Sequence, residues 1–352
     1  MTVSSRPIGV AVVGAGYWGP NLIRNFRNSR DFELLVVCDL DVERAAHAVG
    51  DAMVRVTDDL QSVLADEAIE AIAIATPAHT HEAIAVAALR AGKHVVVEKP
   101  LADTLERGET MARVAREQDR VLMADHTYCY TPAVMKIQEL IAEGSLGKLL
   151  FVDSVRINLG LVQPDVDVLW DLAPHDLSVF DYILPGGLQP LSVAAHGADP
   201  LGVGRPCVGY LTLPLEDDAL AHVHVNWMSP TKLRQMVIGG TSRTIVWDDL
   251  NPYQRVTVYD RGVDVIDPPV GRQRRDAGIA YRLGDAWAPA LPDREALASM
   301  VGAFAANIRD GIPSPTGADA ALRVLNVLTA AQRSLTGGGA AVALPGRVGI
   351  SA

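Results

Sequence analysis

An apolar hexapeptide, Ile8-Gly-Val-Ala-Val-Val13, runs directly into Gly14-Ala-Gly16-Tyr17-Trp18-Gly19. A G-x-G-x-x-G run that closes a strand and opens a helix leaves few folds open to a chain. Gly14 permits the tight turn, Gly16 lets backbone approach a pyrophosphate, and Gly19 lets helix and strand pack closely. The helix N-terminus adds unpaired N–H groups and a dipole that favour an anion. The next apolar run ends at Asp39, twenty residues beyond Gly19. An acidic side chain there binds both ribose hydroxyls and repels a 2′-phosphate. The pattern predicts dinucleotide binding, with NAD preferred over NADP, although Arg44 nearby can soften that preference. The plainer alternatives are a turn made by glycines and an aspartate that caps a helix.

The surrounding chain supports this reading. Short apolar runs at 8–13, 34–39, 71–75, 94–97 and 121–124 alternate with amphipathic stretches near 18–28, 42–49, 60–64, 80–91 and 104–118. Such alternation predicts βαβ units and a doubly wound parallel sheet. The runs are apolar throughout, as strands covered on both faces are. Beyond residue 125 the rhythm changes. One helix, 132–143, leads into strands with few intervening helices at 149–158, 191–196, 208–213, 219–227, 233–239, 243–247 and 255–259. Residues 164–187 are expected to be partly helical, and helices are expected at 294–309 and 318–335. A Pro-, Gly- and Arg-rich stretch, 267–293, reads as a surface loop, and Gly337-Gly-Gly339 as a stop before a loose tail. The expected architecture is an α/β nucleotide domain, 1–125, and an α+β domain, 126–352. The second domain carries a large open, mostly antiparallel sheet, and its helix 318–335 is able to pack back on the first. An open sheet exposes one face, so a homodimer or homotetramer formed through it is expected.

Composition removes other classes. The 352 residues carry a net charge of −11 without a Lys/Arg cluster, which disfavours nucleic-acid binding. No apolar run reaches the length of a membrane span, and the polar start lacks a signal-peptide core. Cys38, Cys129 and Cys207 are odd in number and lack metal-type spacing. A reducing, cytoplasmic setting without a bound metal follows as an expectation.

Chemistry is expected at Glu98-Lys99-Pro100, where the strand 94–97 gives out at the ligand-binding edge of such a sheet. Oxidising an alcohol needs a group that handles the hydroxyl proton or the developing alkoxide. A lysine near that oxygen polarises it. Asp171 and His175 stand four residues apart and share a face if their stretch is helical, although Pro174 argues against a regular helix. A histidine suits general acid–base work, and a carboxylate on its face orients it or holds substrate. The bland readings are a solvated lysine, a core histidine, and Asp171 or Asp176 as helix caps.

Thr76-Pro77, His81, Ala91-Gly-Lys-His94 and Glu98-Lys99-Pro100 closely resemble signatures of the Gfo/Idh/MocA oxidoreductases, and the resemblance runs from Ile8 to Leu335. It implies a Rossmann domain and a nicotinamide enzyme acting on a sugar or cyclitol, with Lys99, Asp171 and His175 catalytic. That family's D-x-G-x-H pattern falls on Asp171 and His175, with Ala173 in place of glycine and Ser178 where many members have a second aspartate. The resemblance places Gly14, Gly16, Tyr17, Trp18, Gly19, Asp39, Thr76, Pro77, His81 and Glu98 at the cofactor. A narrower resemblance rests on residues 16–26, His126-Thr-Tyr128, Pro132-Ala-Val, Asn158-Leu-Gly, Gln163-Pro-Asp and 170–178. These residues are similar to a sugar-nucleotide subgroup that includes UDP-N-acetylglucosaminuronate 3-dehydrogenases and antibiotic-sugar dehydrogenases. That likeness makes Tyr128, Arg156, Asn158 and Gln163 candidate sugar contacts and a C3 hydroxyl the expected target. The alternatives are an inositol-type cyclitol dehydrogenase, an enzyme that recycles a held NAD, and a non-catalytic dinucleotide sensor.

Overall fold

The computed structural model describes residues 6–50, 53–164, 166–266 and 278–344. Asp165 and residues 267–277 of the expected loop lie outside the described residues. The chain divides into two compact units, one comprising Met1–Thr131 with Asp293–Thr329, the other Pro132–Pro292 with Ala330–Ala352.

The first unit opens with β1 (Ile8–Val13), α1 (Gly19–Asn28), β2 (Phe32–Cys38), α2 (Val42–Val49), β3 (Arg55–Thr57) and α3 (Leu60–Ala65). It continues with β4 (Ala71–Ile74), α4 (Ala78–Arg90), β5 (His94–Glu98), α5 (Leu105–Glu117) and β6 (Leu122–Asp125). All strand pairs are parallel, and the order is β3-β2-β1-β4-β5-β6. The order reverses between β1 and β4, the crevice where doubly wound sheets take ligands. Every residue of β1 and β4 is buried, which explains their unbroken apolar sequences. On α1, Gly19, Leu22, Ile23 and Phe26 are buried, a single stripe at helical spacing. Phe26 meets Phe32 edge-on at 5.0 Å between ring centres.

The second unit comprises α6 (Pro132–Ala142), β7 (Leu149–Leu159), α7 (Val168–Ile183), β8 (Ser192–Ala198), β9 (Val208–Pro214), β10 (Leu220–Asn226), β11 (Met228–Gly240), β12 (Thr244–Asp248), β13 (Val256–Ile266) and β14 (Gly278–Trp287). Together with the late β15 (Val342–Ala343) these strands form a nine-stranded sheet, β14-β13-β12-β11-β7-β10-β9-β8-β15. Within this sheet, among the described strands, only the β7–β10 pair is parallel. Helix α7 covers β7, β9 and β10. Strand β10 alternates buried Ala221, Val223 and Val225 with half-buried His222 and His224. On that other face the rings of Tyr210 and His224 stack at 4.5 Å, and those of Tyr210 and His222 at 6.0 Å.

Two helices close the chain, α8 (Ala296–Asp310) and α9 (Ala318–Thr336). Within the first unit Phe304 of α8 stacks on Phe32 at 5.7 Å. The segment before α9 caps the exposed edge of β6, where the Ala124 N–H donates to the Thr316 carbonyl at 2.9 Å.

Three expectations change. Part of the supposed loop 267–293 is strand β14, whose side chains are mostly exposed and so give no apolar alternation to read. The residues after Gly337–Gly339 are not a loose tail throughout, because β15 pairs antiparallel with β8. Helix α7 runs through Pro174, which is buried. The missing donor costs a helix roughly 3 kcal/mol, and packing against the sheet offsets it.

Candidate active site

In the first unit the glycines occupy the positions that need them. Gly14 has φ +99°, and a Cβ there would stand 2.7 Å from the Ala75 carbonyl group. A Cβ on Gly19 would strike the Gly14 carbonyl oxygen, while Gly16 is exposed and has open space on its Cβ side. That open backbone at a helix start is the cradle a pyrophosphate requires. Tyr17 is 96% exposed and Trp18 half-buried.

Asp39 lies just past β2, buried. Its Oδ2 accepts the Ala15 N–H at 2.6 Å, and its Oδ1 accepts the Asp41 N–H at 2.8 Å and an Arg44 N–H at 2.6 Å. Burial works to raise this carboxyl, but the Arg44 bond and the two amides outweigh it and hold it below the ordinary range. The capping alternative for Asp39 is removed, since Asp41 caps α2 by accepting the Arg44 N–H at 3.0 Å. Asp39 braces the glycine turn and carries a guanidinium whose side chain is 50% exposed.

At the ends of β4 and β5, His81 lies buried between two loops. Its Nε2 is 2.7 Å from the Thr76 carbonyl oxygen and its Nδ1 is 3.0 Å from that of Pro100. Burial depresses the imidazole pKa. Thr76 and Thr80 share a hydroxyl contact at 2.7 Å, and exposed Pro77 stands at the N-cap of α4. His81 therefore ties the Thr76 loop to the turn carrying Lys99, whose bond to Pro100 is cis. Glu98 and Lys99 are both half-buried. Asp125, paired in register with Glu98, accepts from Trp18 Nε1 at 3.1 Å and from Thr127 Oγ1 at 2.5 Å. Neither nitrogen of buried His126 has a hydrogen-bond partner among the described residues. The sequence did not single out Asp125, and His126 entered only through the His126-Thr-Tyr128 resemblance; the signal for both was that β6 ends at Asp125, register partner of Glu98, with His126 next.

In the second unit α7 is capped by Asp167, whose Oδ1 accepts the Leu169 and Trp170 N–H groups at 2.9 and 3.0 Å. Neither Asp171 nor Asp176 is that cap. Asp171 and His175, both half-buried, share a face one turn apart. Asp171 Oδ2 accepts the indole N–H of buried Trp227 at 3.0 Å. Trp227 also lies against Gly160, whose N–H donates to the Trp227 carbonyl at 2.8 Å. A Cβ on Gly160 would meet the Asn158 amide nitrogen at 2.9 Å. Asn158, Trp227 and Asp171 thus form one neighbourhood, and nothing in the sequence marked Trp227. Arg156 is placed differently from its fellow candidates. It lies buried and donates from Nε and Nη2 to Asp176 at 2.8 and 3.0 Å, with Ser154 on the same carboxylate at 2.9 Å. Gln163 is half-buried in the segment after β7, and Tyr128 half-buried in the short turn after β6.

Residues 8–126 match the oxidoreductase family with the NAD-binding Rossmann fold, Gfo/Idh/MocA, and residues 134–246 match the Gfo/Idh/MocA C-terminal domain. The chain belongs to the Gfo/Idh/MocA family. Inositol 2-dehydrogenase 2 of Saccharopolyspora erythraea is 28% identical over 227 residues, which is 61% of this chain and, at 66%, just under two thirds of that protein. UDP-N-acetylglucosamine 3-dehydrogenase of Acidithiobacillus ferrooxidans is 26% identical over 80% of this chain and 86% of its own length. The crystal structure of GenD2 from gentamicin A biosynthesis, in complex with NAD, superposes with a TM-score of 0.79 at 24% identity, covering 98% of each chain. That likeness is one of fold. No helix among the described residues is long and apolar enough to cross a membrane.

Proposed function

We propose that this protein is an NAD(P)-dependent oxidoreductase that moves a hydride between a secondary hydroxyl of a sugar or sugar derivative and the nicotinamide. One observation carries the reading. The glycine cradle at β1 and the lysine at the end of β5 belong to one ligand-binding sheet edge, within a family of oxidoreductases. The residues present fit a dinucleotide: Gly14, Gly16 and Gly19 at the pyrophosphate, Tyr17 and Trp18 beside it, Asp39 at the ribose, and Thr76, Pro77 and Glu98 toward the nicotinamide end. His81 serves by fixing the Thr76 loop. Bound nicotinamide supplies the hydride acceptor at its C4.

The chain's own residues then have separate tasks. His175 takes the hydroxyl proton, and Asp171, held by Trp227, orients the histidine or the sugar. The Lys99 ammonium stabilises the alkoxide as it develops. Tyr128, Asn158 and Gln163 are candidates for the remaining hydroxyls. Arg156 is better suited to holding α7 on the sheet through Asp176 than to meeting a substrate charge. In the reverse direction the same groups return the proton and reduce a ketone.

For the finer assignments, Asp39 supports NAD over NADP, and the half-exposed Arg44 beside it limits how strict that preference is. The name of the UDP-N-acetylglucosamine relative supports C3 of a hexose derivative; that of the inositol relative supports a cyclitol as the second reading. A homodimer or homotetramer through the open sheet, in the cytoplasm, completes the proposal. Supporting it, Tyr210, Leu220, Tyr281 and Leu283 leave apolar surface exposed on the strands. Sedimentation as a monomer at low micromolar concentration overturns that part. The test of the activity is a panel of sugars, sugar nucleotides, aminoglycosides and inositols with NAD and NADP, followed by NADH or NADPH absorbance. Steady reduced-cofactor formation with one substrate class, greater with NAD, is expected. Turnover without net reduced cofactor would point instead to an internally recycled NAD, and cofactor binding without turnover of any class to a sensor.

A further inference from the structure

At the end of the second unit's sheet remote from Asn158 lies a cleft of about 360 Å³, lined by Gly144, Ser145, Ser242, Arg243, Asp260 and Arg282. The register fixes its distance from the candidate sugar contacts. Strand β7 carries Asn158 near one end and Leu149, paired with Gly240, at the other. At about 3.3 Å per residue the strand puts roughly 30 Å between them.

Hydrogen bonds within the unit build the walls. The turn between β11 and β12 is tied to the segment after α6. There the Thr241 N–H donates to the Lys148 carbonyl at 2.9 Å, the Ser242 N–H to that of Leu146 at 3.0 Å, and the Lys148 N–H to Thr241 Oγ1 at 3.0 Å. Gly147, at φ +73°, permits this approach, since a Cβ there would stand 2.7 Å from Ser242 Oγ. On the other side Arg282 commits all three of its nitrogens. Nε donates to Asp260 Oδ1 at 3.1 Å, Nη1 to Asp264 Oδ1 at 2.7 Å, and Nη2 to the Thr241 and Ser242 carbonyls at 3.2 and 2.5 Å. Gly262, in register with Arg282, leaves room for it, since a Cβ there would stand 2.8 Å from Nη2.

The uncommitted groups give the cleft its chemistry. Arg243 is half-buried, and its guanidinium, with five N–H donors, bonds to no group among the described residues. Asp260 and Asp264 both engage Arg282 and neither pairs with Arg243. The Ser145 and Ser242 hydroxyls also have no bond among the described residues, and Asp260 Oδ2 accepts none. An anion is drawn to Arg243. Asp260 repels a bare anion set against it but accepts from a hydroxyl. The two requirements together describe one molecule, an anionic group with a hydroxyl beside it.

We propose that this cleft is a second binding site, for a small hydroxylated oxyanion. Its carboxylate or phosphoryl group pairs with the Arg243 guanidinium and accepts from Ser145 and Ser242, and a neighbouring hydroxyl donates to Asp260 Oδ2. Sugar acids and sugar phosphates share that chemistry. The volume matches the small end of ligand sites, about 300–1,000 Å³. Arg282 alternates along β14 with exposed Tyr281 and Leu283, so it points away from the face they occupy, and a second copy seated on that face leaves the cleft open. The proposal does not depend on the dehydrogenase reading.

Calorimetric titration of the full chain with gluconate, glucose 6-phosphate, inorganic phosphate and glucose tests this. A hydroxylated anion should bind once per chain, and the tighter of gluconate and glucose 6-phosphate tells whether the anionic group is a carboxylate or a phosphoryl. Inorganic phosphate and neutral glucose should bind more weakly by about tenfold, the scale of one hydrogen bond involving a charged group. Arg243→Gln should weaken the anion by at least about tenfold, and Arg243→Lys, which keeps the charge, by less, both with the melting temperature of the wild type. Lys99→Ala and His175→Ala should leave the affinity within about twofold, as for independent sites. That control separates the cleft from the candidate active site, where a sugar derivative also fits. Failure of both hydroxylated anions to bind, an affinity unchanged in Arg243→Gln, binding of glucose or inorganic phosphate as tight as theirs, or binding lost in Lys99→Ala or His175→Ala would overturn the inference.

Discussion

In the first unit the candidate residues follow one another at strand ends. Gly14 to Gly19 leave β1, Asp39 follows β2, Thr76 follows β4, Lys99 follows β5, and Asp125 closes β6 with His126 next. In the second unit two candidates depend on partners far along the chain: Asp171 on Trp227, 56 residues away, and Arg156 on Asp176, 20 away. A site made of backbone and strand ends shows in sequence as fixed spacing. A site made of side-chain pairs on a sheet shows only residue types, whose partners the register chooses.

That contrast can be broken at several points. The largest effect is expected at Arg156. Both members of its pair with Asp176 are nearly sealed, with side chains 4% and 3% exposed. Arg156→Ala leaves a buried carboxylate without its cation and should destabilise the protein by about 3–5 kcal/mol, measured by urea unfolding. A loss below about 1 kcal/mol would mean the pair is not what seats α7, and would return Arg156 to the substrate candidates.

His126 gives the next effect, in the first unit, as a pH dependence. The unfolded imidazole titrates near 6.5, the folded one at about 4. Between those values the unfolded chain binds a proton that the folded chain refuses. The stabilisation is therefore complete above about pH 6.5 and is lost as pH falls toward 4, amounting to roughly 3 kcal/mol. His126→Gln should flatten the fall in melting temperature between about pH 7 and pH 4.5. An unchanged acid slope would show that His126 is not held neutral.

The smallest effect sharpens the second-unit site. Trp227→Phe keeps an aromatic ring but removes the N–H that holds Asp171, at a cost of about 1 kcal/mol for the lost bond plus a cavity contribution from the buried indole. It should lower kcat/KM roughly five- to tenfold and leave the dinucleotide affinity unchanged. Equal losses in both would contradict a role confined to Asp171.

The same contrast explains what the sequence could be made to say. Strand β1 was legible to the residue, because six buried apolar positions end at a glycine that only a turn requires. Strand β3, three residues long and not fully buried, lacked any such run. Strand β14 was hidden by its own exposure and by the Pro-, Gly- and Arg-rich stretch before it. Pro174 misled because propensity argues locally, while α7 is held by the sheet beneath it. His81 could be named from its motif, but not its grip on the Thr76 and Pro100 carbonyls, which depends on the adjacency of β4 and β5. Trp227 was one tryptophan at a strand end among several, and its hydrogen bond to Asp171 exists only once β10 lies beneath α7.

The central claim is that Lys99 acts on the reacting oxygen and not on cofactor binding. The direct measurement compares wild type with Lys99→Ala, titrating NAD by fluorescence and following NADH formation with the best substrate of the panel. The expected result is NAD affinity within about threefold of wild type and kcat lower by about a hundredfold to a thousandfold, the range for removing one preorganised charge stabiliser. Turnover near the wild-type rate, or NAD affinity lost in step with activity, would contradict it.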